Sequence, residues 1–202
     1  LRIRLLAGTL FWIAASIALA GWGLSRMFHQ HVASQFHAEL RTHLDQLTAH
    51  ITLDAQGRPV LTQPMSDPRL ARPFSGYYWQ IDLVETSGGT TEAPTPGQLR
   101  SRSLWDHVLQ VPPDAPKDGE IHQHRVVGPE DKMLGMLERS VVLDDASGEK
   151  TRRLRLIAAA NESFMEEPVA RLNSTLWLAL GVLGAGLVLA ALVQVLVGLA
   201  PL

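Results

Sequence analysis

Two uncharged apolar runs enclose this chain and leave it few ways to fold. Leu5 to Ser25 holds 21 consecutive residues without Asp, Glu, Lys, Arg or His, and Leu172 to Leu202 holds 31. About 20 helical residues cross the roughly 30 Å hydrocarbon core of a bilayer. Backbone amides there must be satisfied within the segment, which selects helices. The expected organisation is a transmembrane helix over residues 1–25, a polar domain over 26–171 and a second transmembrane helix over 172–199.

All of the charge apart from Arg2 and Arg4 lies between Arg26 and Arg171. With all 20 Asp/Glu and the other Lys/Arg of the 18 in the chain, the middle domain carries a net charge of −4. That balance has no nucleic-acid footprint. Arg2 and Arg4, with no acid nearby, keep the N-terminus cytoplasmic; the middle domain is then outside and the C-terminus inside. Trp22 and Trp177 each stand near the outer end of a span, at interface depth. A cleaved signal peptide is the competing reading of the first run, with Ala18-Leu19-Ala20 as its processing site. It leaves the middle domain outside all the same. The chain has no cysteine, which removes disulfide and thiolate chemistry and fits an oxidising compartment. Starting at Leu1 and stopping at Leu202 beside an apolar run, it reads as a piece of a longer protein.

The middle domain starts as a helix. Phe28, Val32, Phe36, Leu40, Leu44, Leu47 and Ile51 recur in steps of four and three, and from Val32 onward they lie along one helical face. A stalk helix is expected over 26–51, continuous with the first span. A sheet follows over 52–160. Ile51-Thr52-Leu53 and Pro59-Val60-Leu61 form a hairpin, and Gly76 to Val84 is a half-buried strand. Leu99 to Trp105 is its return strand, and Ile121-Val127, Met133-Leu143 and Arg152-Ala160 are three more. Short turns between neighbours imply a mostly antiparallel sheet of five or six strands. An exit helix over 161–171 opens near Asn161 and contains Pro168. The fold class is α+β. Small residues at helical spacing (Ala14 and Ala18, Gly181 and Ala185, Gly186 and Ala190) allow close helix approach in lipid.

Several residue sets carry candidate chemistry. His122 and His124 project from one face of a strand and can share a metal, with no third ligand visible nearby. Arg100, Arg102, Arg152, Arg153 and Arg155 are candidates for a basic patch that binds a carboxylate or phosphate, or for pairing with acids across the sheet face such as Asp82 or Glu138. Tyr77, Trp79 and Trp105 are large enough to line a ligand pocket, or to fill a core. His29, His43 and His50 lie on the apolar side of the stalk, where imidazoles titrate near neutrality. No catalytic triad, phosphate loop or metalloprotease helix is legible, so no residue is assigned a catalytic role.

The stretches Pro73-Phe74-Ser75-Gly76-Tyr77-Tyr78-Trp79-Gln80-Ile81 and Leu99-Arg100-Ser101-Arg102-Ser103-Leu104-Trp105-Asp106, set between two spans, resemble the input region of a bacterial two-component sensor histidine kinase with a PhoQ-type, PAS-like (PDC) sensor domain. The ending Gly198-Leu199-Ala200-Pro201-Leu202 is similar to the opening of a HAMP linker, assigned to 200–202. The resemblance implies a two-pass protein of the bacterial inner membrane with its middle domain periplasmic. It also implies a homodimer, and a cytoplasmic part that phosphorylates its own histidine with ATP and Mg²⁺ and passes the phosphoryl group to a response regulator. No cofactor is assigned within these residues, and lipid is the remaining partner. His37-Ala38-Glu39-Leu40-Arg41-Thr42 looks like a phosphoacceptor box but has an extra residue after His37, lacks the proline and lies on the wrong side of the membrane. The expected function is signal input. Another output domain, such as a cyclic-dinucleotide enzyme or chemoreceptor, or a non-signalling envelope anchor, would share the same layout. Cation, acid, peptide, anion and envelope stress all stay open as stimuli.

Overall fold

A computed structural model describes residues 2–84, 86–87, 90–91, 95–112, 119–144 and 151–198. The segment assigned to a HAMP linker lies outside these residues. The chain divides into two compact units, Leu1–Ser34 with Met165–Leu202, and Gln35–Phe164.

The first unit is built from two helices, α1 (Arg2–His50) and α2 (Ser163–Gly198), of which α1 also supplies residues to the second unit. Two helices among the described residues are therefore long and apolar enough to cross a membrane. Phe11, Trp12, Leu19, Leu178, Val182 and Leu189 are exposed on them, as side chains facing hydrocarbon should be. The helices meet at Gly21. A Cβ there would lie 2.5 Å from Leu180 Cδ1, so no larger residue fits without a shift. Nearby, Ser25 Oγ donates to Asn173 Oδ1 at 2.6 Å. Gly181 and Gly186 face open space instead. Pro168 is accommodated inside α2, and Asn161 Oδ1 accepts the Ser163 N–H at 3.0 Å where that helix begins.

The second unit is a five-stranded antiparallel sheet with one face against α1. The strands are β3 (Tyr77–Val84), β6 (Thr95–Arg100), β7 (Ile121–Val127), β8 (Met133–Asp144) and β9 (Thr151–Asn161), in the spatial order β6-β3-β9-β8-β7. Two small hairpins stand apart from it, β1 (Ile51–Leu53) with β2 (Pro59–Leu61), and β4 (Thr86–Ser87) with β5 (Thr90–Thr91). In the first hairpin the Asp54 carboxylate takes the N–H groups of Gln56 and Arg58, and Gly57 supplies the positive φ of the turn. Pro59 opens β2, as a residue without an N–H must.

Successive side chains on a strand alternate between faces, so the sheet has two different covers. On one face, the apolar stripe of α1 lies over Tyr77, Trp79, Leu137, Leu156, Ala158 and Ala160. Phe36, Leu40, Leu44 and Leu47 are buried there, the last two completely. A Cβ on Gly135 would come within 2.8 Å of the Phe36 ring. Burying each leucine contributes about 1.5–3 kcal/mol. The opposite face carries Tyr78, Val126, Leu134, Met136, Ile157 and Ala159, covered by Leu104, Leu109 and Val111.

The return strand is Thr95–Arg100, ending before Arg102, which stands in a 3₁₀ turn over Arg102–Leu104. Serine hydroxyls replace the ladder where the strand ends. Ser101 Oγ accepts the Trp79 N–H at 3.1 Å, and Ser103 Oγ donates to the Tyr77 carbonyl at 2.6 Å. Trp105, at φ 56°, then turns the chain away from the sheet edge.

Candidate functional site

Among the described residues of the second unit, two clusters of polar side chains bring together groups that could hold a ligand. The first is on the sheet face turned away from α1. Pairing of β7 with β8 sets His122 directly opposite Glu138, and His124 opposite Met136, two residues along. Glu138 is 0% exposed. His124 Nε2 stands 3.5 Å from Glu138 Oε1, and Arg155 Nε stands 3.5 Å from Glu138 Oε2. The ligand atoms of His122, His124 and Glu138 all lie within 4.8 Å of one another. His122 Nε2 is also 3.8 Å from the exposed carboxylate of Glu120.

Further along the same face, Gln80 and Asp82 form a buried polar pair. Gln80 Nε2 donates to Asp82 Oδ1 at 2.8 Å and to the Leu109 carbonyl at 3.0 Å, while Leu109 N–H donates back to Gln80 Oε1 at 2.8 Å. Asp82 Oδ1 also accepts the Gly97 N–H at 2.8 Å. Burial pushes the Asp82 carboxyl above its ordinary value, against these hydrogen bonds. Arg155 Nη1 reaches the Pro112 carbonyl at 3.5 Å. The covering loop is thus tied to the sheet through Gln80 and Arg155.

The second cluster lies under α1. His43, buried, is 3.2 Å through Nε2 from Asp67 Oδ2. Arg69 pairs with both Asp67 and Glu39 and lies 3.8 Å from the centroid of the Tyr77 ring. Tyr77 Oη donates to Glu39 at 3.1 Å, and the ring stacks on Phe164 at 5.0 Å. Desolvation pulls the His43 imidazole down from its ordinary value, while Arg69 holds the Asp67 carboxyl down. The guanidinium already neutralises both carboxylates, so this cluster ties α1 to β3 and to the 3₁₀ turn Pro68–Ala71 that bears Arg69.

The structure brings some of the sequence candidates together and separates others. Arg153 and Arg155 share one face of β9, and Arg152 is on the other, with its guanidinium against the Gly57 turn. Arg100, exposed at the end of β6, is 3.5 Å from the His107 carbonyl, and Arg102 is exposed in its turn. The five arginines therefore do not converge. Tyr77 and Trp79 are buried on the α1 side, and Trp105 is 56% exposed in the loop. His122 and His124 do converge, with Glu138 as the third group that the sequence left unidentified.

No family model matches the chain, and no solved structure does. Over 182 residues, 90% of its length, the chain is 29% identical to the sensor protein kinase CarS of Pseudomonas aeruginosa. It spans about a third of that protein, 35%. This likeness and the two apolar helices support a sensor-kinase input region in a bacterial inner-membrane protein.

Proposed function

We propose that the chain is the signal-input region of a two-component sensor histidine kinase, with Gln35–Phe164 exposed in the periplasm and both ends of the chain cytoplasmic. The likeness to CarS over 90% of the chain carries this reading, and the arrangement of two apolar helices around a folded α+β unit agrees with it. The finer reading is a PhoQ-type, PAS-like sensor. It is supported by a five-stranded antiparallel sheet whose first and last strands sit side by side at the centre, with one face covered by a helix that arrives from the first span.

In this reading a periplasmic stimulus biases two arrangements of the domain. α1 and α2 carry the difference through the membrane to a cytoplasmic part that uses ATP and Mg²⁺, works as a homodimer and phosphorylates a response regulator. The test is to express the longer protein containing this chain in proteoliposomes and supply radiolabelled ATP. Acid-labile label on the protein, transferred to a response regulator, is the expected result. A protein that takes no label in either orientation sinks the kinase reading. Alkaline phosphatase fused after Arg102 should be active, because that position is periplasmic; an inactive fusion with an active one after Gly198 reverses the topology.

A further inference from the structure

We propose that His122, His124 and Glu138 form a binding site for a divalent transition-metal ion of the kind that favours imidazole, such as zinc. The donor set supports this directly. Two neutral imidazoles and one carboxylate suit zinc and its first-row neighbours, whereas magnesium and calcium prefer all-oxygen sites. Three protein donors leave a coordination position for water or a further group, the pattern of an exchangeable site. Glu120, 3.8 Å from His122, is a carboxylate that can fill it.

The geometry requires little of the backbone. Ligand atoms around a tetrahedral zinc with bonds of about 2.0–2.1 Å stand roughly 3.4 Å apart. Here they lie within 4.8 Å of one another, and rotation of the two imidazoles closes the remainder because the cross-strand register already fixes all three Cα positions. The burial is graded as a site needs. The Glu138 side chain is wholly buried, His124 is 18% exposed and His122 31%, so one donor is anchored and the site opens to solvent along β7. β7 lies at an edge of the sheet, which leaves an approach path. Arg155 sits on the far oxygen of Glu138 and holds the carboxylate with Oε1 toward the imidazoles. That is a positioning role of the kind that tunes metal affinity.

A bound ion draws on Glu138, the group that also holds Arg155, and Arg155 reaches the covering loop at Pro112. Occupancy therefore redistributes one carboxylate between an arginine and a metal, next to the loop. That occupancy is the stimulus is a statement that rests on the sensor-kinase reading; the site itself does not.

Titrating the full chain in lipid nanodiscs with Zn²⁺ by calorimetry, and with Co²⁺ by visible absorption, tests the site. One ion per chain is expected, with the intense visible bands of low-coordinate Co²⁺, displaced by Zn²⁺. His122→Ala and His124→Ala should each weaken binding by more than about tenfold. Their thermal unfolding in chelator should match the parent chain, and His122→Gln with His124→Asn supplies a second pair if either alanine variant fails to fold. No binding, or binding that survives both histidine substitutions, overturns the proposal. Autophosphorylation of the longer protein, measured with and without Zn²⁺, separates the two readings. Histidine-dependent binding without kinase activity removes the kinase reading and leaves the site, whereas kinase activity without such binding removes the site and leaves the kinase.

Discussion

At His43 three charges and a ring decide how the protein responds to acid. Asp67 and Glu39 favour the imidazolium and Arg69 disfavours it, but burial outweighs them and the folded state holds the imidazole below 6.5. Tyr77 completes the surround, its ring 6.0 Å away. The unfolded chain therefore takes up a proton at this group first as pH falls, and the stability His43 contributes is full above about pH 6.5 and declines below it. Thermal unfolding of the chain should show its midpoint dropping between pH 7 and pH 5, and His43→Gln should flatten that interval. Asp82 acts in the opposite sense, since its raised carboxyl value makes folding costlier as pH climbs past 3.8, and this part stays in the variant. An identical slope in both proteins would remove His43 as its source. Arg155→Ala leaves the buried Glu138 carboxylate without its guanidinium and should cost about 3 kcal/mol or more. Gly76→Ala should be severe as well. Gly76 sits at φ 90° and its new Cβ would lie 2.5 Å from the Phe164 ring, a combination of strain and overlap worth about 2–3 kcal/mol in chemical denaturation.

Among the elements, α1 contributes Phe36, Leu40, Leu44 and Leu47 to the core, and Leu44, fully buried at its centre, should cost about 2–5 kcal/mol when changed to Ala. Urea titration of the chain in nanodiscs measures it, and a loss under 1 kcal/mol would mean that the stripe is not packed as described. The stripe was legible because a 3.6-residue period survives any tertiary context. β7, β8 and β9 were legible for the equivalent reason at period two, and observed bounds differ from the expected ones by at most a residue. The return strand was not, because Leu99 to Trp105 alternates like a strand while Ser101 and Ser103 spend their hydroxyls on the backbone of β3. Glu138 was legible as an acid that pairs with an arginine across the sheet, but not as a third group beside the histidines, although a signal existed. The turn around Glu130 centres the β7–β8 hairpin, so the residue eight before it, His122, meets the one eight after it. Finding it required committing to a register, which is a non-local property. The five arginines do not lie together for a local reason, since Arg152 and Arg153 are adjacent in sequence and therefore face opposite ways. The stalk stripe also changes where a second copy can be sought. Phe36 and Leu40 are spent on the sheet, so cysteines for crosslinking belong at Ala38, Arg41, Thr42 and Asp45, which are exposed. Crosslinks at those positions in membranes are the expected mark of the proposed homodimer, and their absence at every one would count against it.

On the scale of the whole molecule, α1 is one helix of 49 residues, about 73 Å long at 1.5 Å per residue. Inserting one alanine between His31 and Val32 turns everything beyond it by about 100° about the helix axis. On the proposed sensor-kinase reading, this should uncouple stimulus from kinase output in the longer protein and leave Zn²⁺ binding at His122 and His124 unchanged. An output that still follows the stimulus would show that α1 is not the conducting element. The same helix has a consequence for how such a protein evolves. Leu40 and Leu44 are both core residues of the domain and links in the helix that enters the bilayer, so a substitution that loosens one loosens the other. On the proposed signal-input reading, natural selection then meets robustness and responsiveness as a single heritable trait. Lineages that change their threshold should do so through loops and sheet edges, where the two can be inherited apart.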